Sequence, residues 1–418
     1  MDTDEITLVH HGFPKPKYVR LRVDGDSLRR ESRSGESGRP RHSAKDCGSP
    51  TEAGYALAKE TRKRLHDGFV MLRDPAEAAV GEPVLVAAAP NHCSSQVLDV
   101  HPDGHTLVVG TMLKGAYGAE IHLIDVATGV RRPVHTEPAG ERQTFVHTVR
   151  FDAAGQGVVH ALNGETRHLD LATGTSRTLA SYEQWRTSDF NPFCVQPSWD
   201  RARARLLVFD AGNWARVLDA AGAPLLDLDV ARQPECRAGA LSPSGRLLAL
   251  AFGTGPAHVE VWDVDTGRQV QRHGFPFPYL DPERRAAVGC GGVAVLGFDP
   301  TERLLIANGG FVEGPFAMAL DTGALAWAVP DPYRWKLPEQ YRADRWGTCY
   351  AWALSPDGTR LAVGGRGTVA LHDPATGTAL LDPELRTGTG RTHRVVYADA
   401  GDLLVCGGDD GRIVVLRA

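Results

Sequence analysis

AWALSPDGTRLAVGGRGTVALHDPATG, Ala351 to Gly377, decides the fold. Its short alternating runs are separated by Pro-Asp-Gly (Pro356 to Gly358), Gly-Gly (Gly364, Gly365) and Ala-Thr-Gly (Ala375 to Gly377). Period-two alternation broken by turn residues predicts antiparallel strands joined by tight hairpins. The unit recurs, in HPDGHTLVVG (His101 to Gly110), DAAGQGVVHAL (Asp152 to Leu162), WDRARARLLVF (Trp199 to Phe209), SPSGRLLALAFG (Ser242 to Gly253), DPTERLLIANGG (Asp299 to Gly310), SPDGTRLAVGG (Ser355 to Gly365) and ADAGDLLVCGG (Ala398 to Gly408). The turn falls at positions 104, 155, 203, 245, 302, 358 and 401, so the spacings are 51, 48, 42, 57, 56 and 43 residues.

A second signature follows most copies: IDVATG (Ile124 to Gly129), LDLATG (Leu169 to Gly174), LDAAG (Leu218 to Gly222), WDVDTG (Trp262 to Gly267), LDTG (Leu320 to Gly323) and HDPATG (His372 to Gly377). Asp serves there because its carboxylate can accept from backbone N–H groups two residues on, and Gly supplies the positive φ of the turn. Blades of four strands repeat every ~40–50 residues, so the pattern predicts a mainly β chain built as a seven-bladed β-propeller over residues 82–418. The seventh copy ends after its third strand, while EPVLVAAAP (Glu82 to Pro90) precedes the first copy as an orphan strand. Strand 82–90 is expected to complete blade seven, which removes two open edges at once.

The repeated turns, Val-Trp-Asp at Val261 to Asp263 and GGDDGRIVVLRA at Gly407 to Ala418 are similar to WD-repeat and related quinoprotein-like propellers. That resemblance spans about four fifths of the chain.

Residues 1–75 read differently. Glu5 to His10 and Tyr18 to Val23 alternate as strands, Asp24-Gly25-Asp26 marks a hairpin, and a polar strand is expected around Pro40 to Asp46. Ser49-Pro50-Thr51-Glu52 is a capping box with proline at the first helical position, and Ala53, Leu57, Thr61 and Leu65 recur down one face until Gly68. A small sheet with one helix across it follows, joined to the repeats by a linker at residues 76–81. KYVRLRVDGDSL (Lys17 to Leu28), SRSGESGR (Ser32 to Arg39) and SPTEAGYALAKETRKRLHDGFV (Ser49 to Val70) together resemble the WGR domain. Arg33, Gly35 and Gly38 match its pattern, whereas Glu31 and Ser32 stand where it has Trp and Gly. The resemblance implies a small α+β fold and, from the poly(ADP-ribose) polymerases, contact with damaged DNA.

The 418 residues, 42% hydrophobic and 23% charged, suit a water-soluble globular chain without a bilayer-length apolar run. Residues 1–75 hold 15 Lys and Arg against 12 Asp and Glu, a net of +3; the remainder holds 31 against 39, a net of −8. The acidic start Met1-Asp2-Thr3-Asp4-Glu5 lacks the basic, apolar pattern of a secretory signal, which points to the cytoplasm. Seven scattered cysteines without a Cys-x-x-Cys pair indicate neither a disulfide framework nor zinc. Cys194, Cys236 and Cys349 share one place in the repeat, nine residues before the turn, where small buried residues are expected. Gly289 to Gly292 and Thr387 to Gly390 do not lie between a strand and a helix and so are not phosphate loops. With no nucleophile elbow, Walker motif or His-Glu-x-x-His, no catalytic residue, metal or cofactor is assigned.

Three long insertions concentrate the interaction chemistry: Ser181 to Phe193, His273 to Gly289 and Pro330 to Gly347. They carry Trp185, Phe190, Phe275, Tyr279, Tyr333, Trp335, Tyr341, Arg345 and Trp346, aromatic and arginine groups of the kind that anchor protein interfaces. A protein or peptide partner is the leading expectation for a non-enzymatic scaffold. The plainer alternative is that these rings fold over one another as a lid. Nucleic acid held by Arg29, Arg30, Arg33, Arg39 and Arg41 is a second reading, set against a merely solvated basic face. A hydrolase or lyase site scattered around the channel is a third.

Overall fold

Four strands, β1 (Glu5–His10), β2 (Lys17–Asp24), β3 (Ser27–Ser34) and β4 (Arg41–Asp46), make an antiparallel sheet in sequential order. The computed structural model describes residues 5–89, 97–112, 118–138, 146–162, 165–181, 198–200, 202–210, 214–229, 236–252, 258–275, 293–309, 314–329, 351–381, 384–408 and 410–418. The β2–β3 hairpin turns at Gly25, whose φ of 57° is the left-handed conformation that glycine adopts without steric cost. Helix α1 (Pro50–His66) begins at Ser49, whose hydroxyl accepts from the Glu52 N–H at 3.2 Å. It ends where Gly68 takes φ 93° and the Phe69 N–H returns to the Arg64 carbonyl at 3.0 Å. Ala53, Leu57 and Leu65 are buried on the face turned to the sheet.

This small unit does not close its own core. Leu8, Val19, Leu21, Leu57, Leu65 and Phe69 share one hydrophobic cluster with Val86, Leu404, Val414 and Leu416 from the far end of the chain. Strand β5 (Met71–Leu72) pairs with β6 (Pro83–Ala88), and β6 pairs on its other side with Arg412–Arg417. Residues 76–81 are drawn against that edge: Ala78 is buried, and the Gly81 N–H donates to the Arg417 carbonyl at 2.7 Å. A connection between units that share a core has little slack to spare.

Residues 97–137, 146–181, 198–229, 236–274 and 293–328 each form a four-stranded antiparallel sheet in sequential order. The remaining strands merge into one eight-stranded sheet, in the order Trp352–Leu354, Leu361–Gly364, Arg366–His372, Leu385–Tyr397, Leu403–Gly408, Arg412–Arg417, β6, β5. Leu385–Tyr397 belongs to both halves of it, pairing with Arg366–His372 at its start and with Leu403–Gly408 at its end. Second strands such as Gly157–Leu162, Leu247–Phe252 and Leu403–Gly408 are buried at every residue, which explains their unbroken apolar sequence. Fourth strands such as Arg268–Gly274 lie at the polar rim. First strands pack side by side, and Leu385–Tyr397 lies next to Val97–Val100, so the ring closes on itself. This is a β-propeller.

The repeated turn has one shared geometry. Gly104, Gly155, Gly245, Gly358 and Gly401 have φ between 68° and 76°, and the two positions without glycine, Arg203 and Glu302, adopt φ 53° and 57°. A side chain in that region is strained, so both residues must be held by contacts of their own. Glu302 accepts from the Ser244 N–H at 2.7 Å. Arg203 does more.

Candidate functional site

Strand alternation divides the arginines of the first unit. Arg29 and Arg33 lie on the face of β3 away from α1. Arg30 lies opposite Leu21, on the helix side, 3.9 Å from Glu60. Arg29 pairs with Asp24 at 2.5 Å, and Arg33 stacks 5.0 Å from the Tyr18 ring centre while donating to the Glu36 carbonyl at 3.0 Å. Arg39 and Arg41 are exposed and without an ion pair among the described residues. The five candidates for nucleic acid therefore do not form one surface, and Arg29 already has a carboxylate.

Of the aromatic loop residues, Trp185, Phe190, Tyr279, Tyr333, Trp335, Tyr341, Arg345 and Trp346 lie outside the described residues, as do Cys194 and Cys349. Phe275 is described: it is 8% exposed, edge-on to Phe316 at 6.2 Å between ring centres, and takes part in the core between two sheets.

The described cavity lies at the channel end where each first strand meets its repeated turn, and has a volume of about 520 Å³. Arg150, Trp199, Arg203, Trp352, Tyr397 and Asp399 are among its walls. Arg203 reaches across it from its strained turn. It donates to the Phe151 carbonyl at 3.2 Å, the Val100 carbonyl at 3.5 Å and Asp399 at 3.2 Å, joining four segments that are distant in sequence. Buried Asp99 faces both Arg150 (3.5 Å) and Arg203 (3.7 Å) and accepts from the Phe151 N–H at 2.9 Å. Burial pulls the Arg150 guanidinium below its ordinary range; the Asp99 charge opposes that shift and Arg203 adds to it. Trp352 rests on the backbone of Gly297, where a Cβ would overlap its ring. Burial raises the Tyr397 hydroxyl well above the ordinary tyrosine value.

This mouth carries little signal in the sequence, where loop length and aromatic density single out the three long insertions at residues 181–193, 273–289 and 330–347 instead. One signal was present: arginine at position 203, in a turn that carries glycine in five of its seven copies.

No family model matches the chain, and no curated protein matches it. Among solved structures, a chain in a crystal structure of the mitotic checkpoint complex matches with a TM-score of 0.58 and 16% identity, over 81% of this chain and 95% of that one. The fold is that of a WD-repeat-like propeller. As many as 1151 solved chains match it, so the shape alone does not select an activity.

Among the described residues, no helix is long and apolar enough to cross a membrane, and no group of three or more His, Cys, Asp or Glu side chains is placed to hold a metal ion.

Proposed function

We propose that this chain is a non-enzymatic cytoplasmic interaction protein. In this reading a WGR-like unit is followed by a seven-bladed propeller that holds a protein or peptide partner on the loop face around Trp185, Phe190, Tyr279, Tyr333, Trp335, Tyr341, Arg345 and Trp346, with Phe275 left out because it is buried in the core. One observation carries it. The three aromatic insertions each connect the fourth strand of one sheet to the first strand of the next: Ser176–Ser181 to Ser198–Trp199, Arg268–Gly274 to Val293–Phe298, and Leu325–Ala328 to Trp352–Leu354. Loops of the same connection type gather on one face of a propeller, so their aromatic and arginine groups add to one surface. The test is crosslinking mass spectrometry on the tagged full chain. Partner crosslinks are expected on residues 181–193, 273–289 and 330–347 and should vanish in a Trp335→Ala/Trp346→Ala variant with an unchanged melting temperature. Crosslinks elsewhere, or full capture by the variant, would exclude this surface.

Exposed Arg39 and Arg41 favour a second reading, nucleic acid held at the edge of the first sheet. Anisotropy of a labelled DNA duplex with the full chain should then fall steeply with salt, and Arg39→Ala/Arg41→Ala should weaken binding at every salt concentration. Salt-insensitive or absent binding would remove that reading.

A further inference from the structure

Strand β4 is the outer edge of the first sheet, and all 6 of its residues are exposed. Helix α1 packs on β2 and β3, while β1, at the opposite edge, lies next to β5. The backbone pattern shows which groups β4 leaves open. The Cys47 N–H donates to the Asp26 carbonyl at 2.9 Å, and these two residues extend the register in which Ser27 faces Asp46. Hydrogen-bonded pairs alternate along an antiparallel ladder, so Arg41, Ser43 and Lys45 bond to β3 while the N–H and C=O groups of His42, Ala44 and Asp46 point outward. Sheet edges are commonly blunted by a bulge or a proline; β4 pairs with β3 without a register shift, and Pro40 stands outside the strand. Charged side chains blunt edges too, but here they form a row. Across the sheet Arg20 faces Glu31 and Glu31 faces His42, whose ring lies 3.9 Å from that carboxylate. Donor and acceptor alternate along this row, which stops at the edge on a donor.

We propose that β4 pairs antiparallel with β4 of a second copy of this chain, about a two-fold axis at Ala44. Outward-facing residues must exchange the N–H and C=O bonds, which limits the symmetric registers near the strand centre to axes at Ser43, Ala44 or Lys45. An axis at Ser43 sets Arg41 opposite Lys45 of the second copy, and an axis at Lys45 sets that residue opposite itself; like charges directly opposite are destabilising. The axis at Ala44 avoids both. It places His42 of each copy opposite Asp46 of the other, extending the row to Arg20, Glu31, His42 and Asp46, and sets the small Ala44 opposite itself. Asp46 accepts from the Gly48 N–H through Oδ1 at 2.9 Å, which leaves Oδ2 for an imidazole N–H, present in either protonation state of His42. The two sheets then run on as one, with both α1 helices on the same face. A strand pair alone buries less than the ~1,200–2,000 Å² of a stable interface, so the dimer is reversible and forms at about 1–100 μM.

Sedimentation velocity of the purified full chain should show a monomer passing to a dimer across that concentration range. Ala44→Pro removes an N–H that faces the second copy rather than β3, so it should keep the wild-type circular dichroism spectrum and stay monomeric throughout. Under mild oxidation Ala44→Cys should give a covalent dimer in excess of whatever the native cysteines produce, because Cα atoms of a hydrogen-bonded pair lie about 5.5 Å apart. Ser43→Cys should not, since Ser43 faces Lys45 of the second copy. His42→Glu should weaken association about tenfold, and adding Asp46→Lys should restore most of it. A chain that is monomeric at every concentration, a dimer unaffected by Ala44→Pro, or crosslinking as efficient at Ser43→Cys as at Ala44→Cys overturns the proposal.

Discussion

His160 makes stability depend on acid in a way that can be isolated. It lies in Gly157–Leu162, fully buried, opposite Val149 on one side and Arg167 on the other. Its ring centre is 5.3 Å from that of His135, and neither ring nitrogen has a partner among the described residues. Burial, and then the charges of His135, Arg167 and His168, lower its pKa to about 3. An unfolded chain takes up this proton near pH 6.5, whereas the folded one refuses it until about 3. The stabilisation is therefore complete above the unfolded value and is lost as pH falls. Each pH unit inside that window is worth ~1.4 kcal/mol, so moving from about pH 7.5 to about pH 4.5 removes ~2.7 kcal/mol through this residue. Urea unfolding of wild type and His160→Leu across that range reads it directly. Other groups contribute equally to both proteins, so the pH-dependent loss in the variant should be smaller by about that amount. The same loss of stability in both proteins would refute the assignment.

Replacing Arg203 separates backbone strain from its side-chain bonds: Arg203→Ala keeps the strain and loses the bonds, so it should be less stable than Arg203→Gly by about 1 kcal/mol in urea melts. Equal stability would mean that the positive φ carries no cost. At Gly155 a Cβ overlaps the His101 ring, whereas at Gly174 it meets nothing within 4 Å; both have positive φ. Gly174→Ala should therefore cost about 1 kcal/mol and Gly155→Ala clearly more, as measured by chemical denaturation. Val86→Pro, in β6 between Val414 and Met71, should abolish cooperative unfolding by circular dichroism; survival of a single sharp transition would show that this strand does not tie the two ends of the chain together.

Much of the fold was legible because its determinants are local. A carboxylate and a glycine a few residues apart specify a turn wherever they occur, as at Asp263, whose carboxylate accepts from the Thr266 N–H and hydroxyl at 2.9 Å each and is made more acidic by those bonds. The same holds for the Ser49 cap, and for apolar runs such as Leu247–Phe252 that tolerate burial on both faces. The arginines of the first unit were legible as a count but not as a surface, because the partner of Arg30 is brought from α1 by folding.

Residue type and spacing alone determined the repeated β-meander, the capped helix and the closing role expected of residues 82–90. Tertiary structure decided the chemistry of the channel mouth and the acid sensitivity of His160. Asp99, Arg150, Arg203 and Asp399 meet only after the ring closes, and His160 meets His135 only when adjacent sheets pack. Desolvation and the supply of hydrogen-bond acceptors belong to that assembled environment, and no window of sequence contains them.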